Sequence, residues 1–163
     1  MERKNQRGMG MEQFLVAQME MFRGRLHPFL ESVSEETADQ MPEGFNNTIR
    51  WNAGHILTTA DGFFGLNMLP ENYKALFWAG TKPADWTGDV PSLEKLDSQL
   101  REQEAHMKEK ISNQFAEKLP QPIQFPNGFQ IHTVGEVAAF CTTHEGIHMG
   151  YMNALKRVIE GKQ

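Results

Sequence analysis

Apolar residues return at helical spacing in four separate stretches of the chain. Phe14, Leu15, Met19, Phe22, Leu26, Phe29, Leu30 and Val33 recur every three or four positions and predict a first helix over residues 11–33. Pro28 lies inside that stretch, where its missing donor and ring clash should kink the last turn or end the helix near His27. A polar connection over residues 34–47 follows. Ile49, Trp51, Ala53, His55, Ile56, Thr59, Phe63 and Leu66 then mark a second helix, with Asn47 or Thr48 as its N-cap. Ser92 caps a third, in which Leu93, Leu96, Leu100, Met107, Ile111 and Phe115 form the apolar stripe and the opposite face is charged and solvated. Thr133 and Glu136 have capping-box spacing and open a fourth helix that continues to about Ile159.

The segments between these stretches are uneven. Residues 70–91 carry Gly80, Pro83 and Gly88 among Tyr73, Phe77, Trp78 and Trp86, which predicts a long crossover with room for a short helix. Ahead of the fourth helix, Ile123-Gln124-Phe125 and Phe129-Gln130-Ile131 flank Pro126-Asn127-Gly128, the pattern of a small hairpin. The expected fold is all-α. It is an up-down four-helix bundle with a long crossover between helices two and three and a small irregular or hairpin segment before helix four, an architecture that often builds metal sites between facing helices. With 163 residues and 39% hydrophobic content, the chain suits one domain with a real core.

Composition removes several classes of function. A net charge of -5 and a pI near 5.7 argue against nucleic-acid binding, which needs a dense basic patch. The densest basic run, Arg3-Lys4 with Arg7, falls in an expected N-terminal tail. Mean hydropathy is -0.53 and no apolar run approaches the ~20 residues of a bilayer span, so no membrane crossing is expected. The N-terminus has no apolar signal-peptide core, and the single cysteine, Cys141, permits no intrachain disulfide. A cytoplasmic location is the expectation. An apolar bundle face of this size could also pair two copies, so a homodimer is expected.

Candidate chemistry concentrates in His144-Glu145-Gly146-Ile147-His148, where two imidazoles four residues apart share one helix face. Two imidazoles alone hold a metal weakly. His55, mid-helix among Ala53, Gly54, Ile56 and Leu57, is the best third ligand; taken alone it would better suit a hydrogen-bonded core histidine, and only the pair on helix four changes that. Three histidines would leave an open coordination position, as catalytic sites do. His27, His106 and His132 are expected to be surface or loop residues. The same five residues match H-E-x-x-H, yet Tyr151 and Ala154 stand where an extended zinc-protease motif needs Gly and His, and Glu160 is about three turns along the same helix. A peptidase is therefore disfavoured. Glu145 points about 100° away from His144, which favours a solvated or supporting carboxylate over a general base. Helical spacing places Trp51, Asn52, Thr58 and Thr59 near His55, and Cys141 and Tyr151 near the pair, as first-guess pocket residues. Cys141 is expected to be a small buried residue, because no basic partner would depress its pKa. Gly54, Gly62, Gly65, Gly146 and Gly150 each cost about 1 kcal/mol of helix stability against alanine, and close helix approach or room above a metal would account for them.

Thr48-Ile49-Arg50-Trp51-Asn52-Ala53-Gly54-His55-Ile56, followed by His144-Glu145-Gly146-Ile147-His148-Met149-Gly150, resembles the DinB/YfiT-like superfamily of four-helix bundles over nearly the whole chain. The resemblance implies a flexible tail over residues 1–10 and a single bundle domain over residues 11–163. It also implies a divalent metal ion, zinc or nickel, held by His55, His144 and His148. Ile147 stands where a further histidine is common in the family, and Tyr151 where glutamine is; neither change removes a ligand. The implied activity is a metal-dependent transferase that joins a low-molecular-weight thiol to an electrophilic small molecule. A hydrolase activating bound water is the alternative. A third option is a non-enzymatic metal-binding or ligand-sensing bundle.

Overall fold

The computed structural model describes residues 9–161. Four long helices carry it: α1 (Met11–Glu31), α3 (Ile49–Phe64), α5 (Leu93–Gln114) and α6 (Val134–Ile159). Short helices α2 (Glu35–Ala38) and α4 (Asn72–Phe77) and a 3-10 turn (Pro83–Asp85) lie in the connections. Strands β1 (Lys118–Gln124) and β2 (Gln130–Thr133) form an antiparallel pair before α6, with Ile123 opposite Ile131 and Gln124 opposite Gln130. Of the expected tail, residues 1–8 lie outside the described residues.

The helix starts follow from side-chain chemistry. The hydroxyls of Thr48, Ser92 and Thr133 accept from the amides of Trp51, Lys95 and Glu136, satisfying donors that a helix leaves open at its first turn. At Thr133 the box is complete, since the Glu136 carboxylate accepts from the Thr133 amide in return. Helix α3 ends at Gly65, whose left-handed φ of 62° lets the Leu66 amide reach back to the Asp61 carbonyl. Helix α1 continues through Pro28 to Glu31 instead of ending near His27.

Helix α1 packs chiefly on α5 and α6, and α3 on the same two partners, so α1 and α3 lie across the bundle from each other. The core has two apolar halves. One gathers Leu26, Leu30, Ile56, Phe77, Leu96 and Met152, the other Leu15, Met19, Phe64, Met107, Ile111 and Val137. Between them runs a polar layer centred on Arg23, which is fully buried. Its Nε donates to Glu145 Oε2 at 2.9 Å, its Nη1 to the Leu100 carbonyl at 3.0 Å and its Nη2 to Gln103 Oε1 at 3.1 Å. Gln103 in turn donates to the Leu57 carbonyl, tying in α3. A buried guanidinium is tolerable only with such a full set of acceptors and a counter-charge.

Two expectations are corrected by this layer. His27 is a buried residue rather than a surface one: it sits one turn beyond Arg23 on the inner face of α1, with Nδ1 2.6 Å from Asp97 Oδ1. Glu145 is buried too, facing α1 instead of solvent. Burial raises its pKa, and the positive guanidinium of Arg23, which pairs with it, opposes that rise. His106 and His132 are exposed, as expected. Among the described residues no helix is long and apolar enough to cross a membrane.

Candidate metal centre

His144 and His148 project from the same side of α6, and His55 meets them from α3. The Nε2 atom of His144 lies 3.1 Å from Nε2 of His55 and 3.0 Å from Nε2 of His148. Two zinc-bound nitrogens at ~2.0–2.1 Å from the ion stand ~2.9 Å apart at a right angle and ~3.3 Å apart at the tetrahedral angle, so this spacing fits one ion.

Tautomers sharpen the fit. The Phe77 carbonyl can only accept, so the His55 Nδ1 at 2.7 Å carries a proton and its Nε2 presents a lone pair. The Asn52 amide nitrogen donates to the Thr48 carbonyl at 2.7 Å, which leaves Asn52 Oδ1 as acceptor for His148 Nδ1, also at 2.7 Å. His148 Nε2 therefore presents a lone pair as well. A single proton on His144 could serve one of these two facing nitrogens at a time, whereas a cation satisfies all three rings. Burial is the main reason the rings resist protonation: His144 is pushed down to about 3 and His148 to about 4, each further disfavoured by its neighbours. His55 is lowered by burial as well, against the pull of the Phe77 carbonyl. Neutral imidazoles are the form that binds metal.

The supporting shell explains part of the local sequence. Trp51 stacks on His55 with centroids 4.5 Å apart and planes 12° apart, and its Nε1 donates to Thr81. Phe140 stacks on His144 from one turn earlier in α6. Gly54 lets Phe77 close over α3, because a Cβ there would come within 2.3 Å of the Phe77 ring. That contact sets the carbonyl that orients His55.

The expected pocket residues separate into groups. Trp51 and Asn52 touch the histidines directly. Thr58 is buried, with no hydrogen-bond partner for its hydroxyl among the described residues, and it lines a cavity of about 540 Å³ with Asp61, Gly62 and Lys74. Thr59 is buried on α3. The Tyr151 hydroxyl is taken up by the Asn46 amide at 3.0 Å, with its ring edge-on to Phe45. Cys141 belongs to the apolar core, where burial pushes its thiol far above the ordinary range. Glu145 does not join the histidine group and is held by Arg23, so the H-E-x-x-H spacing yields no base beside the rings. Sequence reasoning missed Phe77 and Phe140. The Phe77 contribution is a backbone oxygen that no side-chain pattern signals, but Phe140, four residues before His144, was open to the spacing rule.

The three rings thus fit a metal-binding site among the described residues. No curated protein matches the chain. A solved structure of a conserved protein from Enterococcus faecalis is similar, with a TM-score of 0.66 and 17% identity over 95% of this chain and 100% of that one. At that identity the likeness concerns the fold. The model of the DinB superfamily matches residues 18–152, most of the chain and all three histidines, and the chain belongs to that superfamily.

Proposed function

We propose that the chain is a metal-dependent transferase that joins a low-molecular-weight thiol to an electrophilic small molecule, with zinc or nickel held by His55, His144 and His148. The observation that carries this is the donor set itself: three neutral imidazoles, two of them turned inward by the Phe77 carbonyl and Asn52, with no carboxylate in the group. A divalent ion held there would supply Lewis acidity, which would favour loss of a thiol proton near neutral pH without a separate base. Residues of the chain do the rest. Trp51 keeps one face of His55 dry, and Phe140 does the same for His144. The Asn52 amide holds His148 in one tautomer and one orientation.

Among the described residues no carboxylate joins the histidine group, and the one acidic residue within the motif is committed to Arg23, which favours thiol transfer over hydrolysis. Metal content by elemental analysis, measured beside His55→Ala and His144→Ala, tests the site. Consumption of a small thiol with an epoxide or haloarene, lost in both variants, tests the reaction. Turnover of esters or amides without thiol would replace this proposal with a hydrolase. Stoichiometric metal with neither activity would leave a binding or sensing bundle.

A further inference from the structure

Asp61 of α3 is 8% exposed, yet no ion pair includes it among the described residues. The other buried arginines and carboxylates there are matched: Arg23 with Glu145, Arg50 with Glu35 and Asp39, and Asp97 with His27 and Arg101. Asp61 Oδ1 accepts from the Met68 amide at 2.9 Å, which holds the chain reversal after Gly65, and among the described residues no donor reaches Oδ2. A carboxylate withdrawn from water without a counter-charge is costly. One turn earlier on the same side of α3, Thr58 is 3% exposed and its hydroxyl has no hydrogen-bond partner among the described residues. Valine would fill that space without burying an unmet hydroxyl, so the native threonine and the unpaired carboxylate together ask for a donor from outside the chain.

Both residues line the cavity of about 540 Å³ that α3, the turn after it and α4 enclose, a size suited to a small molecule. Its charges are unequal in depth. Glu71 and Lys74 are exposed at the rim and opposite in sign, which leaves buried Asp61 as the uncompensated charge. Leu69 and Tyr73 supply apolar wall, since the Tyr73 hydroxyl is already committed to Gln99 Oε1 at 2.8 Å. A cation with a hydrocarbon body complements such a lining, the charge meeting Asp61 and the carbon meeting Leu69 and the Tyr73 ring. None of the three histidines lines the cavity, so it is separate from the metal centre.

We propose that this cavity binds a small primary amine with an apolar body, its ammonium donating to Asp61 Oδ2 and to the Thr58 hydroxyl. The site is independent of the metal and of the reaction proposed above. The test titrates the full chain with phenethylamine, and with 2-phenylethanol as its uncharged counterpart, by calorimetry before and after metal removal with a chelator. The amine should bind with a Kd of about 1 mM or tighter in both preparations, and the alcohol at least about tenfold more weakly. Asp61→Asn, which keeps the acceptor for the Met68 amide, should weaken amine binding by about tenfold or more. Thr58→Val should weaken it about threefold without lowering the melting temperature of the ligand-free protein, because no hydrogen bond within the chain is lost. Lys74→Met should leave it no weaker. Absence of binding at about 10 mM amine, equal affinity for the alcohol, or wild-type affinity in Asp61→Asn would each overturn the proposal. So would loss of binding on chelation, which would place the amine on the metal. Phenylalanine binding more tightly than phenethylamine, with that advantage lost in Lys74→Met, would overturn it in favour of a zwitterion.

Discussion

Asn52 uses both ends of its amide, one on the Thr48 carbonyl and one on His148, and so links the start of α3 to the orientation of a ring on α6. Replacing it with leucine keeps the branched shape and removes the acceptor. Metal affinity should fall about 10–100-fold in a chelator competition while helix content is unchanged. The histidines also predict a pH dependence. Each takes its proton at lower pH in the folded chain than in the unfolded one, where the pKa is ~6.5, so the unfolded chain binds more protons in between. Stability of the metal-free protein should be fully present above ~6.5 and fall as pH drops toward 4, with the loss shallower in His144→Gln. Urea midpoints at a series of pH values would show it, and identical profiles for the two proteins would count against it. Arg23 is the other critical residue. Arg23→Met strands Glu145 without its counter-charge and should cost about 3–5 kcal/mol in denaturant unfolding, much of it recovered when Glu145 is also made apolar. An arginine on an otherwise apolar stripe was the available signal for this layer, as was the break in the α5 stripe at Gln103.

Element boundaries were the most legible feature of the sequence, because capping is local chemistry. Thr48, Ser92 and the Thr133–Glu136 box all start helices where their side chains meet the first open amides. Glycine positions were legible only as a puzzle. Gly54 is resolved by the Phe77 ring lying over it, Gly65 by its left-handed cap, and Gly146 by Phe22. Gly54→Ala therefore has an effect beyond helix propensity. Its methyl would push Phe77 and α4 away from α3, and stability should drop by about 1–3 kcal/mol even though alanine is the better helix former. Thermal unfolding together with metal titration would separate this from a neutral change, since the displaced Phe77 carbonyl should weaken metal binding as well.

At the scale of the molecule, the centre joins α3 and α6, two helices separated by the crossover, α5 and the hairpin. An ion bound only by the folded chain raises stability as RT ln(1 + [M]/Kd), about 2.7 kcal/mol at a hundredfold excess over Kd. The melting temperature should rise with added zinc or nickel in wild type and stay fixed in His55→Ala. What the sequence determined by itself was periodic and local: four amphipathic stretches, their caps, the hairpin around Asn127-Gly128, and an i, i+4 pair of imidazoles that a helix must place on one face. Tertiary structure alone decided which helices are neighbours, that Glu145 and His27 turn into a buried polar layer, and that a backbone oxygen and an amide fix the tautomers of His55 and His148. The physical reason is reach. Capping and periodicity act within one helical turn, while burial and hydrogen-bond satisfaction depend on atoms brought from more than twenty residues away, which only packing supplies.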